Sequence, residues 1–293
     1  MRRSLQRSWG SGRWGGVATA TTTSSPSPFP VRTRRVDFGI TDDTDPFWNP
    51  NAIELTCAAN AVSLMMPYIE PYFARTARTA AAQLDPALAS TVERFAAEEV
   101  AHQVEHRRFN RLLRERVAGV GRLEGWMRRV YRRLERRRSL EWSAAFTAAS
   151  ETVAYSLARW TSDHLPMLLG GAHPISQMYV WHLAEEVEHK SVGYDVFEAV
   201  DGSRRRYARA AAVTVMLVLG FVATGALLQL HSLRKLRNPL TWCRLAWWAV
   251  SAGMEIIPTL VASCLPGHHP SKLVDPSWYG LWLRDLDGAA AQQ

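Results

Sequence analysis

Ala97-Glu98-Glu99-Val100-Ala101-His102 returns later in the chain as Ala184-Glu185-Glu186-Val187-Glu188-His189. Each copy sets a Glu and a His three residues apart, Glu99 with His102 and Glu186 with His189. On an α-helix that spacing turns both side chains to one face, where they can hold the same cation. Each copy follows a lone acid on an earlier amphipathic segment, Glu70 and Glu151. The order Glu, Glu-x-x-His, Glu, Glu-x-x-His is the ligand set of a helical bundle that holds two metal ions. One Glu comes from each of two helices and a Glu-x-x-His from each of the other two. The pattern predicts an all-α chain built on a ferritin-like four-helix bundle, with Glu70, Glu99, His102, Glu151, Glu186 and His189 as metal ligands.

Four helices are expected around these residues. The first covers about 51–81, and Ser63, Met66, Glu70, Phe73 and Ala77 fall on one face. Pro67 and Pro71 bracket Glu70, so a kink is expected there, a feature that can free backbone groups near a site or be mere irregularity. The second begins at Asp85-Pro86, a cap followed by proline at the first helical position, and runs to about 117. Residues 118–138 read as a turn and a basic connector, helical in part. The third helix covers about 140–164 and puts Ala144, Ala148, Glu151, Tyr155 and Ala158 on one face. Gly170-Gly171 follow its end. The fourth runs from Pro174 to about 200, with Met178, His182, Glu186, His189, Gly193 and Phe197 on one stripe. Glu98 and Glu185 turn about 100° from the ligand stripes and are not read as ligands.

Composition supports the helical reading. Ala, Leu, Arg and Glu dominate the middle of the chain, and no alternating β-branched run stands out. The net charge of +8 gathers in the N-terminal tail and in arginine clusters at 128–138 and 204–206. The first cluster reads as a solvated helix face. The second abuts a long apolar run and favours anionic lipid over nucleic acid, which is not expected as a partner. Three widely spaced cysteines exclude a disulfide framework or zinc ribbon and suggest a reducing compartment.

Residues 1–34 hold no Asp or Glu and are rich in Arg, Ser, Thr, Gly and Pro. They read as a disordered basic tail, with a transit peptide as another reading of the same composition. The bundle takes 35–203. No residue of 210–230 is charged, a length that matches the roughly 20 apolar residues of a bilayer-crossing helix. A second apolar stretch, 245–265, is broken by Glu255 and Pro258, follows Trp242 and contains Trp247 and Trp248, and reads as interfacial or as half of a hairpin dipping into lipid. Residues 204–270 are therefore expected to be hydrophobic, membrane-associated helices, and 271–293 a C-terminal tail. The expected location is the cytoplasmic side of a membrane, with a soluble cytoplasmic protein as the alternative.

Other groups lie on or beside the ligand stripes. His106 and His182 are candidates for additional ligands or for hydrogen-bonding partners of the ligands. Tyr155 is a candidate redox tyrosine or an ordinary core residue. His102-Gln103-Val104-Glu105-His106 also spells His-x-x-Glu-His, in which two His hold one zinc and Glu105 is the general base. That motif leaves Glu186 and His189 unexplained.

The chain also resembles the bacterial family described as predicted metal-dependent hydrolases. The resemblance rests on Arg35-Val36-Asp37-Phe38, Ser63 to Glu70, Phe95 to His102 with His106 and Asn110, Trp181 to Lys190 with Asp195, and Pro266-Gly267-His268-His269-Pro270. Glu98 stands where the family pattern often has Gln. The resemblance implies a metal-dependent enzyme and labels it a hydrolase. The carboxylate-rich ligand set favours instead two iron ions, or iron with manganese, that activate dioxygen toward a small apolar substrate. The alternatives are a mononuclear zinc hydrolase on His102, Glu105 and His106, and a non-catalytic ferritin-like metal-binding protein. Oligomer formation is compatible with all three.

Overall fold

The computed structural model describes residues 31, 34, 36–168 and 173–290. The tail expected over 1–34, apart from Val31 and Arg34, and the Gly170-Gly171 stop lie outside them. The described residues are all-α, with no strand. The helices are α1 (Ile53–Ala80), α2 (Pro86–Arg116), α3 (Val120–Arg137), α4 (Leu140–Trp160), α5 (Leu165–Leu168), α6 (Pro174–His189), α7 (Val192–Val200), α8 (Arg204–Ser232), α9 (Pro239–Ser263) and α10 (Ser277–Ala290). α1 packs along α2 and α8, and α4 along α6, α7, α8 and α9.

Helix starts follow local chemistry. Asp85 accepts from the backbone N–H of Ala87 at 2.9 Å and of Leu88 at 3.0 Å, and Pro86 takes the position that needs no donor. Asn238 and Pro239 repeat the device at α9, with Leu240 N–H donating to Asn238 at 3.0 Å. α1 continues through both Pro67 and Pro71. Pro67 has no N–H to give the carbonyl of Ser63, and that carbonyl instead accepts from Asn110 Nδ2 at 2.8 Å. The freed backbone group is therefore real, and α2 satisfies it.

Four expectations need correction. The connector at 118–138 is a full helix, α3, because Leu123, Met127 and Tyr131 recur at helical spacing and bury one face while the arginines stay outside. The fourth helix is two: α6 stops at His189 and α7 starts at Val192. Between them Lys190 turns inward, donating to the Leu273 carbonyl at 3.1 Å and pairing with Asp275. Glu255 and Pro258 do not break α9, since Glu255 faces Arg159 on α4 at 3.2 Å. Finally, residues 271–293 are not only a tail. In α10 Trp278, Tyr279 and Trp282 are buried, and Trp278 Nε1 donates to the Ala158 carbonyl at 3.1 Å.

Among the described residues three helical stretches are long and apolar enough to cross a membrane: Pro50–Gln83, Arg204–Ser232 and Pro239–Ser263. Their surroundings differ. The most apolar windows are 67%, 28% and 6% buried, so the first is apolar because it lines the core, and the last turns its apolar surface outward. α8 lies between these cases. Its Gly225 lets it approach Ala61 so closely that a Cβ there would sit 2.7 Å from the Ala61 Cβ. Gln229 donates to the Cys57 carbonyl and accepts from Asn60 Nδ2, each at 2.9 Å.

Candidate metal centre

α1, α2, α4 and α6 each deliver acids or imidazoles to one buried cluster. Glu70, Glu99, His102, Glu151, Glu186 and His189 are all buried. Glu99 lies with Glu70 and His102 in one group of three ligand atoms within 4.8 Å of each other, and with Glu151 and His189 in another. Glu186 Oε1 is 3.8 Å from Nδ1 of both His102 and His189. The cluster thus has a first position flanked by Glu70 and His102, a second flanked by Glu151 and His189, and two carboxylates between them.

The cluster has the chemistry of a metal-binding site. Both oxygens of Glu70 and of Glu99, Glu151 Oε2, and Nδ1 of His102 and of His189 are buried without a hydrogen bond. Among the described residues none of the four carboxylates pairs with a Lys or Arg. Apart from His189 Nδ1, 3.1 Å from Glu99 Oε1, no imidazole nitrogen of the described residues comes within 3.5 Å of these oxygens, and burying so many acceptors is costly unless a cation meets them. Burial, and then the charges of neighbouring carboxylates, push Glu70 and Glu151 well above the ordinary range. Burial also lifts Glu99, to about 7. His189 moves well above its usual value, because the carboxylates of Glu186, Glu98 and Glu99 outweigh its burial.

Glu98 and Glu185 have a role that the sequence reading missed. Nε2 of His102 donates to Glu185 Oε2 at 2.9 Å, and Nε2 of His189 donates to Glu98 Oε2 at 2.8 Å. Each copy of the repeat supplies the acid that orients the histidine of the other. In the neutral imidazoles that a cation requires, the donation fixes both tautomers and leaves the Nδ1 lone pairs aimed inward. The signal was present in the doubled Glu of both copies; only the crossing of the pairs needed the fold.

The two halves are not equivalent. Glu185 Oε1 also accepts from Trp181 Nε1 at 2.8 Å and from Arg34 at 3.1 Å, whereas Glu98 Oε1 is buried without a hydrogen bond. Arg34 further pairs with Glu188 at 2.5 Å. At the second position Gly193 makes room for an acid: a Cβ there would stand 2.9 Å from Glu151 Cγ.

The remaining candidates separate cleanly. His182 and His106 join the cluster, grouped with Glu70, and His182 also with His102 and Glu186. Glu105 does not join it; its carboxylate faces Arg108 at 3.5 Å. The His-x-x-Glu-His reading thus lacks its base at the site. Tyr155 donates to the Val274 carbonyl at 2.8 Å and so anchors the C-terminal segment.

No curated protein and no solved structure matches this chain. A family match covers residues 32–273, and with it most of the chain, including every ligand candidate. The chain belongs to the family described as predicted metal-dependent hydrolases.

Proposed function

We propose that the protein is a dimetal carboxylate enzyme of ferritin-like design, working at a membrane surface on an apolar substrate. The observation that carries it is the convergence of four buried carboxylates and two tautomer-fixed imidazoles, with Glu99 shared between two ligand groups. Glu70 and His102 would hold one ion, Glu151 and His189 the other, and Glu99 and Glu186 would reach both. Two iron ions, or iron with manganese, supply redox chemistry toward dioxygen in such a ligand set. The protein's part is positional. Glu98 and Glu185 hold the imidazoles, Phe95 packs edge-on against His189 with centroids 4.7 Å apart, and Trp181 against His102 at 4.8 Å. These rings keep water from the ligands.

The membrane side of the reading rests on α9. Leu240, Trp247, Val250, Met254, Ile257 and Val261 are exposed at helical spacing. A stripe of that size on one helix favours lipid. Arg234, Lys235 and Arg237 precede it, placing positive charge where anionic headgroups would lie. An apolar substrate would arrive from that surface.

The second reading keeps the same ions for hydrolysis, with a metal-activated hydroxide, and is favoured by the family's description. Protein purified without air distinguishes them. About two iron, or one iron and one manganese, per chain, with a new charge-transfer band on adding oxygen, supports the redox reading. Two zinc ions and no response to oxygen would replace it with the hydrolytic one.

A further inference from the structure

The repeat that builds the site is broken in one respect. In the register that aligns Glu99 with Glu186 and His102 with His189, His182 corresponds to Phe95 and His106 corresponds to Gly193. The second position therefore has an apolar ring and a glycine where the first has two imidazoles. His182 stacks on His102 with centroids 4.2 Å apart, in the place where Phe95 meets His189 edge-on.

Hydrogen-bond counting fixes the protons of this extra pair. Asn110 Nδ2 donates to the Ser63 carbonyl left open by Pro67, so Asn110 Oδ1 faces Ser63 Oγ at 2.7 Å and accepts its only proton. Ser63 Oγ then has only a lone pair to offer His106 Nδ1, 2.7 Å away, and His106 must donate there. Nε2 of neutral His106 is left as an acceptor, and it takes the proton of His182 Nδ1 at 2.6 Å. In a neutral His182 this leaves Nε2 as a lone pair, 3.0 Å from Glu186 Oε1 and 3.6 Å from Glu70 Oε1, and these side chains belong to groups of ligand atoms that could hold a metal. Either a second proton on His182 or a cation must stand between Nε2 and these oxygens; the proton would satisfy Glu186 alone, whereas a cation also meets the two buried Glu70 oxygens that have no hydrogen bond.

We infer that His182 is a further ligand of the metal at the first position, held there through His106, Ser63 and Asn110, and that the two metal positions are chemically distinct by design. This rests on the dimetal reading and sharpens it. The first position has two imidazoles and the second has one. Imidazole favours later first-row metals, so iron takes the first position and manganese the second when both are offered.

Cobalt(II) is the probe, because its visible spectrum and paramagnetic shifts report each site without turnover. The wild-type protein takes up two Co²⁺ in two resolved steps, separated by about tenfold or more. His182→Phe, which copies the residue found at the second position, weakens the tighter step by about 100-fold and merges the two. Ser63→Ala, which only unlocks His106, weakens that step by about tenfold. In the wild-type protein the exchangeable imidazole N–H protons shifted by cobalt number three: those of His102, His189 and His182. Two such protons, or an unchanged titration in a folded His182→Phe protein, overturn the inference and leave the dimetal reading standing. Uptake of fewer than two Co²⁺ by the wild-type protein overturns both.

Discussion

At the scale of single residues the two acids that hold the histidines should behave differently. Glu98→Ala removes only the acceptor of His189 Nε2, since Glu98 Oε1 has no hydrogen bond to lose. Glu185→Ala removes the acceptor of His102 and also partners of Arg34 and Trp181. Each variant is expected to lose about 10- to 100-fold in metal affinity, read by competition with a chelator. In the metal-free protein Glu98→Ala costs the buried pair with His189, and Glu185→Ala should cost more, about 2–4 kcal/mol, because it strands Trp181 and breaks the pair with Arg34 as well. Arg34 keeps Glu188, which holds the cost toward the lower end. Equal destabilisation by the two would sink this account. The same residues mark what the sequence could tell. Glu99 and His102 were legible because helical spacing alone puts them on one face. Glu98 and Glu185 were not, because turning off the ligand stripe of one helix brings each to the histidine of another, a relation across helices that no local period encodes.

At the scale of the helix, α9 carries its own reporter. Cys243 is exposed beside the apolar stripe, while Cys57 is buried in α1 and pushed up to about 12 by burial and then by the charge of Glu54. Only a thiolate reacts, so Cys57 should stay silent at neutral pH and Cys243 should label with a maleimide. Adding vesicles rich in anionic lipid should slow Cys243 labelling severalfold, and neutral vesicles less so. Labelling of Cys243 that no vesicle changes would remove α9 from the lipid surface. The elements themselves were mostly readable, since caps such as Asp85-Pro86 and stripes such as that of α2 are local. The failures have one cause. α3, α10 and the break after His189 depend on partners far along the chain: the face that buries Tyr131, the Ala158 carbonyl that accepts from Trp278, and the Asp275 that draws in Lys190. The apolarity of α1, α8 and α9 was likewise visible in the sequence, but only packing shows that α1 spends it on the core and α9 does not.

At the scale of the whole molecule the cluster makes stability depend on pH in a way that metal reverses. Burial and mutual repulsion raise Glu70 and Glu151 well above the ordinary carboxylate range and Glu99 to about 7. An acid whose folded value is raised stabilises the fold below its unfolded value, and that contribution disappears as pH rises through the folded value. His189, raised by its carboxylates, has the same sign: its contribution is full below the ordinary imidazole value and fades above. Glu186 has the opposite sign. Against the upward push of burial, the imidazoles of His182 and His189 hold it well below its usual value, so its contribution is lost only in strong acid and is constant near neutrality. His102 and His106, held well below their usual value by burial, act in the opposite sense below the ordinary imidazole value, so it is between about pH 6.5 and 8 that the metal-free protein should lose stability as pH rises, with its midpoint of thermal unfolding falling by several degrees. Metal binding requires these same groups deprotonated, so its stabilising effect grows over the same interval. Thermal unfolding of chelator-treated and metal-loaded protein, measured in parallel at several pH values, should give two curves that diverge as pH rises. Parallel curves would mean that the ion does not sit among Glu70, Glu99, Glu151 and His189, because a cation bound elsewhere would leave the titration of this buried cluster unchanged.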